Sequence, residues 1–329
     1  MIKEKVLNTI KKYNMIDKND KKILVAVSGG FDSTCLLHVL NDIKEEFGYS
    51  LCIAHINHCL RDNAILDEQY VIDLGKELDI PVFVKKADIE KISKEEKISL
   101  ETAGRNVRNE FFEEIAKKEN CSKIALAHNA NDNAETVLLN MFRGTGLTGL
   151  RGIRKVRDEK YIRPIIEITR KEIEQYLNEK GIEARLDESN LTDEYRRNKI
   201  RNVIIPYIEE NFNDNIVNTI NRMSDLVIQD DDYIVKVVQE EFNKNVIKKE
   251  TNNIVINGKN ISKLEINIQK RLIIKCIEEL FGNTMQIEQI HINDIVKLNK
   301  RNIGNKYLLV NKHLKVYFNK GKLHFEKID

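Results

Sequence analysis

Near the start of the chain, Ser28-Gly29-Gly30-Phe31-Asp32-Ser33 has the residue types and spacing of an anion site. Two adjacent glycines let backbone N–H groups come close to an oxyanion, and a helix beginning just after them points its first N–H groups at it. Ser28 and Ser33 add hydroxyl donors. Asp32 is the member that does not suit an anion, because a carboxylate beside a phosphate repels it unless a metal ion or an ammonium lies between. No Gly-Lys-Ser/Thr follows the glycines, so this is not a Walker A loop. The plain alternative is a Gly-rich strand-to-helix turn with a Ser cap.

Three further groups carry chemistry. His55-Ile-Asn-His-Cys-Leu-Arg61 reads as a loop with two imidazoles, an amide and a guanidinium, and only Cys59 offers a thiolate, too little for a zinc site. Arg105 and Arg108, three apart in the stretch opened by Glu101-Thr-Ala-Gly, share a helix face and can reach one phosphate together, or simply be solvated. His128, Asp132 and Glu135 follow at spacings of four and three, on one face of a helix start. Capping explains an acid at a helix N-terminus, but the positive helix end disfavours a protonated His128. A neutral or phosphate-paired imidazole fits there.

The elements that position these groups alternate. Strands are expected at Ile23–Val27, Leu51–Ile56, Val82–Val84 and Lys123–Ala127, with helices at Thr34–Phe47, Ala64–Leu78 and Leu100–Lys118 between them. That pattern predicts a doubly wound parallel sheet with ligands at the carboxyl ends of its strands, where every group above falls. Met141–Arg151, with three glycines and no packing pattern, is expected to be a mobile loop and candidate lid. Basic residues crowd from Arg143 to Arg163, a capped helix is expected over Thr169–Lys180, and Asp187–Asn190 reads as a turn. Arg196-Arg-Asn-Lys-Ile-Arg201 places four cations in six residues, and the two basic stretches together suggest phosphate binding. An amphipathic helix over roughly 213–240 reads as a connector. Beyond it come a short strand at Ile254–Ile256, helices at Asn267–Phe281 and Ile287–Leu298, and an antiparallel meander of Tyr307–Val310, Leu314–Phe318 and Leu323–Phe325.

Composition sets bounds. With 329 residues the chain exceeds one ordinary core, and its net charge of +2 leaves a polyanion to be met by local patches. Five cysteines without a CxxC pair point to a reducing, cytoplasmic setting rather than to a zinc site or iron–sulfur cluster. No membrane-length apolar run or signal peptide appears, and residues 1–20 read as a charged amphipathic helix.

SGGFDS, HINHCLR, ETAGRNVR, AHNANDNAET, FRGTGLTGLRG and DESN…RRNKIRN…IP stand in the order and at spacings similar to those of the tRNA(Ile)-lysidine synthetase family, within the PP-loop ATP pyrophosphatases. The resemblance is strong over residues 20–210 and looser beyond. Gly104 departs from the Ala more usual in the family, and longer relatives carry a further C-terminal module. The resemblance implies an N-type ATP pyrophosphatase domain over 1–212, a helical connector over 213–245, and a small α+β, tRNA-binding and substrate-selecting domain over 246–329. The implied reaction uses ATP and Mg²⁺ to adenylate the wobble cytidine of tRNA(Ile) bearing a CAU anticodon, and free L-lysine then displaces AMP to form lysidine. By the same resemblance, Ser28, Gly29, Gly30, Asp32 and Ser33 hold pyrophosphate and Mg²⁺, with Asp32 on the metal, and His55 lies by the adenosine. Arg105 and His128 stabilise the adenylation transition state, and Asp132 and Glu135 receive the lysine ammonium or a metal with Arg201 assisting. Arg151, Arg154, Arg163, Arg196 and Arg197 are the expected RNA contacts. A homodimer is a candidate assembly. The rival readings are a PP-loop tRNA thiolation enzyme, which needs a cysteine pair or cluster ligands near the loop, and a non-catalytic tRNA-binding protein.

Overall fold

The computed structural model describes residues 2–59, 64–185, 196–282, 287–301 and 307–328, so Arg61 and the expected turn at 187–190 lie outside the described residues. Two compact units are present, Met1–Val227 and Ile228–Asp329.

The first unit is built on a six-stranded sheet of β1 (Lys22–Ala26), β2 (Ser50–Asn57), β3 (Val82–Lys86), β4 (Lys123–Ala125), β5 (Val156–Arg157) and β6 (Tyr161–Ile162), in the order β3-β2-β1-β4-β6-β5. All neighbours are parallel except β5, which runs antiparallel to β6. Alternation along β1 feeds two cores. Ile23 and Val25 join a cluster with Val6 and Ile10 of the helix Ile2–Lys12, Leu36 and Leu40 of the helix Phe31–Phe47, and Ile173 and Leu177 of the helix Arg170–Lys180. Leu24 packs on the opposite side with Phe111, Phe112 and Ile115 of the helix Leu100–Lys118. Both sheet faces are covered, which is why its strands are near-continuous apolar runs. Strand order reverses between β1 and β4, so the loops leaving those two strands flank the crevice where doubly wound sheets take ligands.

Local signals set several boundaries. Thr169 and Glu172 form a capping box at the start of the helix Arg170–Lys180, and Gly181 ends it in the left-handed conformation. Asn129 and Asp132 make a second capping box for the helix Ala130–Phe142. In three stretches the structure differs from the sequence expectation or adds to it. His55 lies within β2, opposite Val84 of β3, rather than in a loop. The basic stretch up to Arg163 contains the β5–β6 hairpin. The Gly-rich run after Met141 contains a helical turn, Leu147–Leu150, tied down by Asn140 Nδ2 donating to the Gly149 carbonyl at 2.9 Å.

After the 196–199 turn the chain makes one π-helical turn, Ile200–Ile204, and continues as the helix Ile205–Asn211. The helix Ile216–Asn245 then gives its opening turns to the first unit. There Asn221 donates to the Ala130 carbonyl at 3.0 Å and accepts from Asn133, Ser224 Oγ donates to the Arg151 carbonyl, and Asp225 pairs with Lys12 and Lys155.

In the second unit the helices Ile266–Phe281 and Gln289–Arg301 cover one face of a five-stranded antiparallel sheet. Its strands are β7 (Val246–Glu250), β8 (Asn253–Asn257), β9 (Tyr307–Asn311), β10 (Leu314–Asn319) and β11 (Lys322–Lys327), in the order β7-β8-β11-β10-β9. The expected meander and the strand near Ile254 are thus one sheet, extended by β7, whose charged Lys248-Lys-Glu250 hid it from the sequence. Among the described residues no helix is long and apolar enough to cross a membrane.

Gly75, in the helix Ala64–Glu77, is fixed by packing. A Cβ there falls 2.1 Å from Val82 Cγ2 and 3.0 Å from the Ile80 carbonyl oxygen. Gly75→Ala gains roughly 1 kcal/mol of helix propensity but incurs an overpacking cost of roughly 1–3 kcal/mol. We expect a net loss in chemical denaturation, and an unchanged or higher midpoint would mean that Val82 turns aside freely.

Candidate active site

The loop after β1 is held open by its own hydrogen bonds. Gly29 has φ +95°, a conformation that a side chain would strain. Ser33 Oγ accepts from the Ser28 N–H at 3.1 Å and donates to the Gly30 carbonyl at 3.1 Å, while the Ser28 and Ser33 hydroxyls lie 3.1 Å apart. Gly30 is the N-cap of the helix Phe31–Phe47 and no side chain caps it, so the helix end presents its first N–H groups to a ligand. Arg185 closes the loop from outside, its N–H donating to the Gly29 carbonyl at 3.0 Å and its Nε to Asp67 at 2.9 Å.

Asp32 sits on the first turn of that helix with Oδ1 buried and without a hydrogen-bond donor. Burial, then the Asp132 carboxylate, raises its pKa from the ordinary 3.8 to about 6, against Arg170, the Asn129 amide and Arg201. A buried carboxylate oxygen without a donor beside an anion cradle fits a cation. Among the described residues no three His, Cys, Asp or Glu side chains converge on a metal position, so a divalent ion here would be held by Asp32 together with phosphate oxygens.

His55 is buried, and its Nδ1 lies 2.8 Å from the Val27 carbonyl, just before the loop. A carbonyl only accepts, so Nδ1 carries the proton and Nε2, which has no partner, is an acceptor. Burial holds the imidazole below its usual pKa.

The loop after β4 carries the second half of the site. β6 pairs in parallel with β4, and the Leu126 N–H donates to the Ile162 carbonyl at 2.9 Å, so the residue after β6, Arg163, lies beside His128. Arg163 is 6% exposed; its Nε donates to His128 Nδ1 at 3.1 Å and its Nη1 to the Arg154 carbonyl at 2.6 Å. Burial and the charges of Arg163, Arg108, Arg197 and Arg157 push the His128 pKa down to about 3, so the ring is neutral. Burial and the charges of Arg157, Arg105 and Arg108 lower the Arg163 pKa to about 10, which still leaves it charged at neutral pH. Arg157 stacks on the Tyr161 ring at 3.9 Å. These guanidiniums gather positive charge around one neutral imidazole at the crevice.

Asp132 and Glu135 are both buried and lie in a four-membered ionic cluster. Asp132 Oδ1 accepts from Arg197 Nη2 at 3.0 Å and from Arg201 Nη2 at 3.1 Å. Glu135 accepts from Arg197 Nε at 2.8 Å and from Arg201 Nε at 2.6 Å. The pair is thus neutralised by two guanidiniums rather than standing open, with the Arg197 side chain 41% exposed and that of Arg201 14%.

The expected site residues therefore fall into three sets. Ser28, Gly29, Gly30, Asp32 and Ser33 form the loop, with His55 behind it. His128, Asp132, Glu135, Arg197 and Arg201 gather at the opposite edge of the crevice, with Arg105 near Arg163. Arg154 and Arg196 are exposed and Arg151 half-buried, whereas Arg163, grouped by sequence with the RNA-facing cations, is interior. Sequence reasoning passed over Arg157 and Arg170 as site neighbours, because a basic stretch does not say which of its cations point inward. It also took the cysteines as scattered. Cys52 and Cys121 meet at 3.3 Å, but in the core under the helix Leu100–Lys118, away from the loop.

A raised Asp32 pKa has a sign. Unfolded, the group ionises near 3.8, whereas folded it holds its proton to about 6, so stability falls as pH rises between these values and the full cost stands above 6. Asp32→Asn is expected to match the parent at pH 4 and to exceed it at pH 7.5 by about 3 kcal/mol. Denaturation at both pH values checks this; an equal effect at both would place the cost elsewhere.

Comparison with known proteins agrees with this geometry. The family described as a PP-loop domain matches residues 2–208. The chain is 45% identical over 320 residues to the tRNA(Ile)-lysidine synthase of Clostridium tetani (strain Massachusetts / E88), covering 97% of this chain and 68% of that protein. It is 41% identical over 324 residues to the tRNA(Ile)-lysidine synthase of Clostridioides difficile (strain 630), covering 98% and 70%. It thus spans about two thirds of the length of these relatives. Among solved structures, the U34-tRNA thiolase NcsA from Methanococcus maripaludis, with its 4Fe–4S cluster, superposes with a TM-score of 0.58 at 18% identity, covering 69% of this chain and 78% of that one; at that identity it shares the fold alone. A pyrophosphate-type loop, a crevice of guanidiniums and close kinship over nearly the whole chain converge on one conclusion: the chain belongs to the tRNA(Ile)-lysidine synthase family of PP-loop proteins.

Proposed function

We propose that the chain joins free L-lysine to C2 of the wobble cytidine of a tRNA(Ile) with a CAU anticodon, through an adenylated cytidine, with release of pyrophosphate and then AMP. The observation that carries this reading is the meeting, across the β1–β4 crevice, of the loop holding the buried Asp32 oxygen with the guanidiniums around neutral His128. Bound ATP would supply the adenylyl group, with Mg²⁺ neutralising its phosphates.

In the first step cytidine O2 bonds to the α-phosphorus and the bond to pyrophosphate breaks. Ser28, Gly29, Gly30 and Ser33, with the helix N–H groups, hold the departing phosphates, and Asp32 is the residue that would hold Mg²⁺. His55 Nε2 accepts from a donor on the adenosine. Arg105 and the Nε2–H of His128 donate to the oxygens that gain charge, in a preorganised arrangement that costs no reorganisation during reaction. In the second step the lysine ε-nitrogen bonds to C2 and the bond to AMP oxygen breaks. The ammonium must first lose a proton, which a nearby carboxylate can take. Asp132 and Glu135 are the ammonium site, where lysine takes the place of the more exposed Arg197 and Arg201 remains as the assisting cation. Arg151, Arg154 and Arg196 meet the RNA backbone, joined by Arg197 once it is released.

Labelled lysine is expected to enter a tRNA(Ile) transcript with CAU and not a CAU-bearing tRNA(Met), with one pyrophosphate per lysine. Pyrophosphate release independent of tRNA, or repeated turnover of ATP on tRNA without lysine entering the RNA, would overturn the reading. Arg154→Gln with Arg196→Gln should weaken tRNA binding and flatten its salt dependence by about one per lost contact, with ATP affinity as the control. An unchanged slope would place the RNA surface elsewhere.

A further inference from the structure

We infer that Arg163 is a positioning residue, fixing His128 as a neutral Nε2–H hydrogen-bond donor toward the reacting phosphoryl group. The direction of that donor rests on the function proposed above, while the tautomer rests on the structure alone.

The argument begins with the chain. Pro164 follows Arg163 and restricts it to extended backbone, continuing β6 alongside the segment that leaves β4. This brings a buried guanidinium against the imidazole, Nε to Nδ1 at 3.1 Å, while Nη1 is anchored on the Arg154 carbonyl at 2.6 Å. A guanidinium has five N–H donors and no acceptor, and it stays charged at any working pH. Nδ1 must therefore be the acceptor, and the proton of the neutral ring sits on Nε2. Protonating Nδ1 would set an N–H against an N–H inside a ring of cations. The charges that act most strongly on the imidazole are those of Arg163 after β6, Arg108 on the helix Leu100–Lys118, Arg197 beyond β6 and Arg157 on β5, all of one sign.

The result is a histidine with one role. It cannot act as an acid that hands over a proton and becomes a base, because its second nitrogen is occupied. It can offer one hydrogen bond to an oxygen that gains negative charge, without the proton moving, as a backbone N–H does in an oxyanion hole. Arg163 touches neither nucleotide nor RNA in this scheme. It acts through His128, and a Lys there would keep a donor but lose the planar fork that spans both Nδ1 and the carbonyl.

The test uses the full chain labelled with ¹⁵N-histidine. Long-range ¹H–¹⁵N spectra read the tautomer, and His128→Asn assigns the signal. The parent is expected to show His128 as the Nε2–H form at pH 7 and without titration down to pH 5. Arg163→Met, which keeps bulk but no donor, is expected to mix the tautomers and to titrate between pH 5 and 7. It should lower kcat of adenylate formation about 100-fold, with KM for ATP little changed and a new falling limb on the acid side. Arg163→Lys should recover the Nε2–H form and part of kcat. An Nδ1–H or imidazolium signal in the parent overturns the inference, and so does a native tautomer in Arg163→Met. If Arg163→Met fails to fold, the parent spectrum alone decides. If the tautomer is as stated but His128→Asn adenylates tRNA at the parent rate, the functional reading of His128 fails while the hold of Arg163 on its ring stands.

Discussion

β1 is hydrogen-bonded on both sides to strands running its own way, β2 on one flank and β4 on the other. A parallel strand ends beside its neighbours' ends, so whatever follows β1, β2 and β4 is delivered to one edge of the sheet. The loop at Ser28–Ser33, the imidazole of His55 and the segment 126–129 meet there because of that pairing. The site thus inherits its precision from five fully buried residues, Ile23 to Val25 with Cys52 and Ile124.

Charge at that edge is arranged by sign. The β4 side gathers Arg105, Arg108, Arg157 and Arg163 about a neutral histidine, while the helix Ala130–Phe142 offers Asp132 and Glu135, closed off by Arg197 and Arg201. Removing one member of such a buried cluster leaves an uncompensated charge, at a cost of roughly 3–5 kcal/mol, whereas the intact set adds little net stability. The arrangement therefore reads as one kept for what it binds. It also places Arg197, the more exposed of the two cations, against both carboxylates.

Much of the frame was legible in the sequence. Apolar runs marked β1 to β4, and the capping residue Thr169 marked its helix, because these are local signals. What escaped depends on partners distant in the chain. β5 and β6 have two residues each, too short for periodicity to register. Arg163 and Arg154 look alike in a basic stretch, and only the pairing of β6 with β4 sends one inward and leaves the other exposed. Asp132 and Glu135 were visible as a carboxylate pair, but their guanidinium partners lie more than sixty residues away. Cys52 and Cys121 come together for the same reason, through strands flanking a third.

The helix Ile216–Asn245 carries a further consequence. Asn221, Ser224 and Asp225 reach back to Ala130, Asn133, Arg151, Lys12 and Lys155, so these bonds tie a late segment of the chain to much earlier ones. During synthesis the sheet can assemble once β6 has emerged, yet these bonds stay unmade until about sixty further residues leave the ribosome. The nascent first unit therefore waits on a segment that sequence reading assigns to a connector. A translational pause before that helix would leave the end of the Gly-rich run, at Arg151, without its bond to Ser224.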